Sequence, residues 1–329
     1  MRNFFSHLMA LLCALLLPCT SAGAEGLRFG ICAYSGEDTF ITSVVDTVRG
    51  LVPEGAMLTA LDSRNDQNTQ NAQVLSLLES GVDALIINAV DRTTAVYLIR
   101  MAAGAGVPIV FVNREPLKED MALYSRAYYV GTDPQETGYL SGQVAADYFT
   151  AHPSADRNGD GKLQYVMLRG EPGHQDTELR STYALRALRD AGFLPEKLGE
   201  ESANWERTLA QEKMAELLAE FGERIECVLS NNDDMALGAI DAMKAAGMSG
   251  RIPVVGVDAT AAAREALAAG DLTGTVLNDA ENIGRACWEL AWLLAQGGNV
   301  TADNYAYEMD ELRRVFIPSQ IITKKTLNQ

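Results

Sequence analysis

Basic residues are scarce in this chain: 27 Lys and Arg face 44 Asp and Glu over 329 residues, a formal charge of −17. So acidic a surface repels phosphate backbones and anionic headgroups, which argues against nucleic acid and charged membranes as partners and leaves neutral ligands open. Cysteine is also sparse. Of five, Cys13 and Cys19 fall in an apolar N-terminal stretch, and the remaining Cys32, Cys227 and Cys287 are odd in number and irregularly spaced. Such a set does not build a disulfide framework; Cys32 and Cys227 sit in apolar, strand-like runs and read as buried free thiols. Beyond the N-terminus no segment is long and apolar enough to span a bilayer, which takes about twenty residues. No low-complexity linker divides the chain.

The N-terminus has the composition of an export signal: Arg2, an apolar stretch from Leu8 to Leu17, and the small residues Ala22-Gly23-Ala24 before Glu25. This predicts a cleaved secretory peptide at residues 1–24 and a soluble, exported product. Its removal deletes one Arg and no acid, so the charge becomes −17 − 1 = −18. Leu16-Leu17-Pro18-Cys19 is a poor lipoprotein site, because Pro directly precedes the Cys. The roughly 305 residues left exceed one comfortable core and suggest two domains.

Short apolar runs alternate with amphipathic stretches almost throughout. Leu27 to Tyr34, Met57 to Asp62, Ala84 to Val90, Ile109 to Asn113 and Tyr128 to Gly131 read as buried strands, separated by helices such as Phe40 to Leu51 and Gln67 to Glu79. A second series follows at Gln164 to Leu168, Phe193 to Leu198, Glu226 to Ser230, Pro253 to Asp258 and Thr273 to Asn278, with helices at Arg207 to Phe221 and Met235 to Ala246. The fold class is therefore α/β with open parallel sheets. The halves echo each other: the segment from Ala105 to Asn113 and that from Gly250 to Asp258 are each a turn, a strand-initiating Pro and a strand ending in a polar residue. Ligands of open α/β sheets bind beyond the carboxyl ends of strands. Tyr34, Asn113, Asn232, Asp258 and Asn278 thus form one candidate set around a cleft between two facing domains.

Asp156-Arg157-Asn158-Gly159-Asp160-Gly161-Lys162-Leu163-Gln164 places oxygen-bearing side chains at positions 1, 3, 5 and 9 of a loop with Gly at 6. That is calcium-loop spacing. The twelfth position, which in a helix–loop–helix sensor carries a bidentate Glu, is Met167 in a strand-like run. An Asp/Asn/Gly-rich surface turn is the plainer alternative.

A neutral sugar needs planar donors and acceptors for its hydroxyls and flat aromatic surface for its C–H faces. Asp38 and Phe40 after the first strand, His174, Asp176 and Arg180 in Gly173 to Arg180, and Trp205 in Asn204-Trp205-Glu206 supply both. Asp38 and Asp176 taken singly read equally well as helix caps.

The chain closely resembles the periplasmic galactose/glucose-binding proteins, which serve sugar ABC transporters and, in some bacteria, chemotaxis receptors. The resemblance runs from about Leu27 to Thr323. It is densest in Asn65-Asp66-Gln67, Val107 to Pro116, Tyr128 to Asp133, Gly170 to His174, Asn231-Asn232-Asp233 and Thr275 to Ala280. It implies two doubly wound parallel-sheet domains joined by a three-segment hinge, the type I periplasmic binding protein fold. The lobes would be residues 25–132 with 280–314, and 133–279 with 315–329. Hinge strands would lie near Thr132-Asp133, Asp279-Ala280 and Arg314-Val315.

The same resemblance implies a non-catalytic, monomeric protein that closes over D-galactose or D-glucose and passes it to an ABC transporter permease. Phe40 and Trp205 would stack on opposite faces of the pyranose. Asp38, Asn113, His174, Asp176, Arg180, Asn232, Asp258 and Asn278 would hydrogen-bond it, with Tyr34 lining the site and Asp38 serving either epimer at the fourth carbon. Ser35-Gly36-Glu37 departs from the family's aromatic-containing turn. The loop matches the family's structural Ca2+ site, with Asp156, Asn158, Asp160 and Gln164 binding through side chains, Lys162 through its carbonyl, and Glu226 replacing the missing carboxylate. A transcription regulator's sugar-sensing core would need an N-terminal helix-turn-helix where the export signal stands. An exported glycosidase would need a spaced carboxylate pair, and none can be placed from sequence.

Overall fold

The computed structural model describes residues 26–327. The export signal expected at residues 1–24, with Cys19, lies outside the described residues. The first half runs β1 (Arg28–Ala33), α1 (Thr39–Leu51), β2 (Met57–Asp62), α2 (Gln67–Glu79), β3 (Ala84–Ile87), α3 (Ala95–Ala105), β4 (Ile109–Val112), a one-turn α4 (Lys118–Met121) and β5 (Ala127–Gly131). The second continues with α5 (Pro134–Ala151), β6 (Leu163–Arg169), α6 (Gln175–Asp190), β7 (Pro195–Ser202), α7 (Arg207–Phe221), β8 (Cys227–Ser230), α8 (Asp233–Ala245), β9 (Val254–Val255), α9 (Ala261–Ala269) and β10 (Thr275–Leu277). The chain then returns through α10 (Ala280–Ala295) and β11 (Arg314–Phe316) before β12 (Gln320–Ile322).

Strands β11-β5-β4-β3-β1-β2 form one parallel sheet. Its central strands are apolar on both faces because helices cover both, α1 and α10 on one side, α2 and α3 on the other. The second sheet, β7-β6-β8-β9, is parallel. Bridges from Val255 to Gly274 and Asp258 to Leu277 extend it to β10, against which β12 runs antiparallel. Helices α5 and α6 cover one face, and α7 to α9 the other.

Three segments cross between the lobes, two at the expected places, after β5 and after β10. The third needs correction. A boundary at Arg314-Val315 would cut β11, whose three residues all pair with β5, and Ile317 N–H donates to Gly131 O at 2.8 Å within the first lobe's core. The crossing therefore follows Ile317. The three cysteines among the described residues, Cys32, Cys227 and Cys287, are buried free thiols, and burial pushes Cys32 and Cys227 up to about 12, which keeps them protonated.

Strand ends pass directly into helix starts. Asp38, Asp133, Asn232 and Asp279 each accept a backbone N–H from the first turn of the following helix. This packs four polar caps along the edges where the lobes face each other. One packing detail fixes the site's scaffold. Helix α5 presents Gly138 and Gly142, one turn apart, to α6; a methyl on Gly138 would lie 2.6 Å from Arg180 Cα, and one on Gly142 would overlap the Ala184 carbonyl. Only glycine permits this approach, which seats Arg180 against the hinge-side helix.

Candidate functional site

A small polar cavity lies between the lobes. Tyr34, Asp38, Phe40 and Asn113 reach it from the first lobe; His174, Asp176, Arg180, Trp205, Asn232, Asp258 and Asn278 reach it from the second. All eleven positions singled out in the sequence thus share one cavity. Arg114 also lines it and is missing from that set, although it adjoins Asn113 in one of the densest matching segments.

On the first lobe, Asp38 is both cap and wall: Oδ1 accepts from Ile41 N–H at 2.8 Å, and Oδ2 accepts from the Tyr34 hydroxyl at 2.7 Å. Arg114 lies over the Tyr34 ring, 3.7 Å from its centroid, and donates to the Val90 carbonyl at 2.6 Å. Its other nitrogen reaches across the cleft to Glu171, 3.1 Å away. Glu115 makes a second crossing, accepting from Gln175 at 3.2 Å and from Arg314 at 2.8 Å. These contacts draw the lobes together beside the cavity.

On the second lobe the cap of α6 is His174, not Asp176. His174 Nδ1 accepts from Asp176 N–H at 3.1 Å, so the ring proton resides on Nε2. That leaves the Asp176 carboxylate free to take Arg180 at 2.9 Å, while Arg180 also donates to the Asn231 carbonyl at 2.9 Å. Arg180 Nε is buried with no partner among the described residues, a donor that calls for an acceptor. Trp205 packs edge-on to His174, with centroids 5.2 Å apart. Its ring lies against Gly170, where any side chain would overlap it.

Asn113, Trp205 and Asp258 have φ of 63°, 72° and 122°. Such conformations cost non-glycine residues free energy, and they cluster where a site holds groups in place. The Tyr129 hydroxyl donates to the Asn113 carbonyl at 3.0 Å, and Asn278 Nδ2 donates to Asp258 Oδ1 at 3.1 Å, which hold two of the three.

Charge in the cavity is finely set. Burial raises the carboxyls of Asp176 and Asp258 above the usual range, with Arg180 opposing it. Burial, together with Arg114 and Arg180, holds His174 well below its ordinary value, so it is neutral at pH 7. The aspartates accept hydrogen bonds best when ionised. Ligand affinity should therefore decline as pH falls through their raised pKa values, starting above the ordinary carboxylate range while His174 is still neutral. Titrations across the acid range would check this; a flat affinity down to the ordinary carboxylate range would contradict it. Asp176 and Asp258 also favour the folded state more as pH falls through this window, because their folded carboxyls take up protons before the unfolded ones do, whereas His174, held low, acts in the opposite sense.

The Asp156 to Gln164 loop follows α5 and leads into β6, which contains Met167. Asp156 accepts from the N–H groups of Gly159 and Gly161 at 2.8 and 2.9 Å, and both glycines have positive φ. Glu226, 2% exposed, reaches in from the start of β8 and accepts from Arg157 and Gln164 N–H groups at 2.7 and 3.1 Å. Gln164 Oε1 is buried without a partner among the described residues. No three His, Cys, Asp or Glu side chains form a metal cluster among the described residues. What gathers here is a mixed set of carboxylate and amide oxygens, and it includes an unpaired buried acceptor, which suits a hard cation.

Two α/β lobes, three crossings and a polar cavity at the strand ends between them define a bilobal binding protein of the type that closes on a solute. Residues 29–299 match the family model described as a periplasmic binding protein domain, and the chain belongs to that family. It is 39% identical over 318 residues, 95% of both chains, to the D-galactose/methyl-galactoside binding periplasmic protein MglB of Haemophilus influenzae. A putative rhizopine-binding protein of Rhizobium meliloti is 31% identical over 95% of each chain. Among solved structures, an ABC transporter solute binding protein of Bacillus halodurans with bound myo-inositol superposes with a TM-score of 0.78, 27% identity, and coverage of 93% of this chain and 98% of that one.

Proposed function

We propose that this protein is the exported, sugar-binding component of an ABC transporter, and that it captures D-galactose or D-glucose without transforming it. The carrying observation is the convergence of polar side chains and one aromatic ring from each lobe, Phe40 and Trp205, on one cavity. Its donor and acceptor inventory suits a rim of hydroxyls, and its two rings suit the C–H faces of a sugar. The ligands for which these relatives are named support a polyol or sugar and differ among themselves, so the choice of hexose rests on the galactoside-binding relative.

In the mechanism, each open lobe holds only part of the hydrogen-bonding set, Asp38 and Asn113 on the first and the rest on the second. A ligand that touches both is bound more tightly in the closed state and so shifts the population toward it. Asp38, Asn113, Asp176, Asn232, Asp258 and Asn278 accept or donate to hydroxyls, His174 Nε2–H donates, and Arg180 Nε gains its acceptor. The closed form is then handed as a monomer to the permease, with a chemotaxis receptor as a second candidate partner. Asp156, Asn158, Asp160, Gln164, the Lys162 carbonyl and Glu226 would hold a calcium ion, which would stabilise the loop against the start of β8 and take no part in sugar contacts.

Calorimetric titration with hexoses and pentoses tests this. Galactose or glucose should bind, and Trp205→Ala should weaken binding at least about tenfold, on the scale of a lost aromatic contact plus its burial. Binding of ribose in place of either hexose would move the protein to another sugar, and release of reducing sugar from a glycoside would make it an enzyme.

A further inference from the structure

A second groove, open to solvent, adjoins the cavity and shares Tyr34, Asp38 and Trp205 with it. Its far walls are two turns, one from each lobe. Arg64 and Asn65, both at φ 53°, form one; Asn204, at φ 51°, leads into Trp205 on the other. The side chains of Arg64, Asn65 and Asn204 are exposed and make no hydrogen bond or ion pair among the described residues. They are planar amide and guanidinium groups, the same chemistry that lines the inner cavity, and the monosaccharide site does not use them. The intervening Ser35-Gly36-Glu37 turn is tied to the end of β2, where Gly36 N–H donates to Asp62 Oδ1 at 2.9 Å.

We infer that this groove is a second subsite, and that the protein accepts a neutral hexoside whose hexose fills the inner cavity and whose second ring lies between Arg64-Asn65 and Asn204. The inference rests on the hexose reading above and extends its ligand from one ring to two. A second ring held there touches both lobes, so it favours closure by the same logic as the first. The groove sets the charge of the aglycone as well. Six carboxylates line it against two guanidiniums, which disfavours uronic acids and sugar phosphates.

Titration of the mature protein with free galactose and glucose, with disaccharides in which either is the terminal or the reducing unit, and with aryl hexosides is the test. At least one two-ring ligand should bind as tightly as the free hexose or better. Arg64→Gly and Asn204→Gly keep the backbone conformation. Each should weaken that ligand about three- to tenfold, the worth of one hydrogen bond, and leave free-hexose affinity within about twofold, which also reports correct folding. Binding of free hexose with every two-ring ligand weaker by a hundredfold or more would overturn the second subsite and spare the hexose reading. Equal effects of the variants on both ligand types, or none on either, would overturn the role of these turns. Failure of hexoses and hexosides alike would overturn both readings, whereas binding of a hexoside alone would support the subsite.

Discussion

Arg180→Met is expected to lower hexose affinity by at least about a hundredfold, the largest loss at any single position of the cavity, and to destabilise the fold. Arg180 is 4% exposed, donates to Asp176 and to the Asn231 carbonyl, and lies 3.9 Å from Asp258. Methionine fills similar space but leaves two buried carboxylates without their cation. Removing one partner of a buried pair costs about 3–5 kcal/mol. Asp176 and Asp258 would respond by taking up protons, and so lose acceptor strength for hydroxyls. Each charge-assisted bond lost is worth about 1.5–3 kcal/mol, or roughly ten- to a hundredfold in affinity. Calorimetric titration and urea unfolding would read both effects. Arg180→Lys, which keeps the charge and loses the planar fork, should fall between. An affinity within threefold of the parent for Arg180→Met would remove Arg180 from the site.

Buried parallel strands were the most legible part of the fold, because helices cover both their faces and their sequences are continuous apolar runs. Strand β2 matches its expected bounds, and β1, β4, β5 and β8 deviate by a residue or so at an end. Edges were harder to read. Strand β7, Pro-Glu-Lys-Leu-Gly-Glu-Glu-Ser, carries charge because only one side of it pairs, and its observed span, Pro195–Ser202, runs past the expected Phe193 to Leu198. Strands β11 and β12 are three residues each, too short to show a period. The antiparallel pairing of β12 is set by the hinge crossing, not by its own sequence.

The site was legible wherever one residue sits at a strand end, as do Asn113 and Asp258 in the two echoing segments. Contacts that depend on the closed lobes were not. Arg114 and Glu171 are 57 positions apart, and only the docking of the lobes makes them a pair. The choice of His174 over Asp176 as the cap of α6 was likewise invisible. Both are good acceptors near one helix start, and Arg180, one turn along, decides it by claiming the carboxylate.

Calcium should raise the melting temperature by about 5–10 °C over chelator while sugar affinity at 25 °C stays within about twofold. A cation bound only by the folded state contributes about 2.7 kcal/mol at a hundred times its Kd, and each kcal/mol moves a domain of 150–250 residues by about 2–4 °C. The gain has a structural route, since Glu226 is buried and joined to the loop through Arg157 and Gln164, segments more than sixty residues apart in sequence. Without the ion, the unpaired Gln164 Oε1 and a buried carboxylate are costs that the fold carries alone. Glu226→Gln should therefore abolish most of the calcium response by removing the one buried acid of the set. The cavity lies at the other end of β6, past Gly170, so hexose binding has no direct contact with the loop. Equal melting temperatures with calcium and with chelator would reduce the loop to an Asx-rich turn. A calcium-dependent loss of sugar affinity at 25 °C would instead mean that the loop and the cleft are coupled through β6.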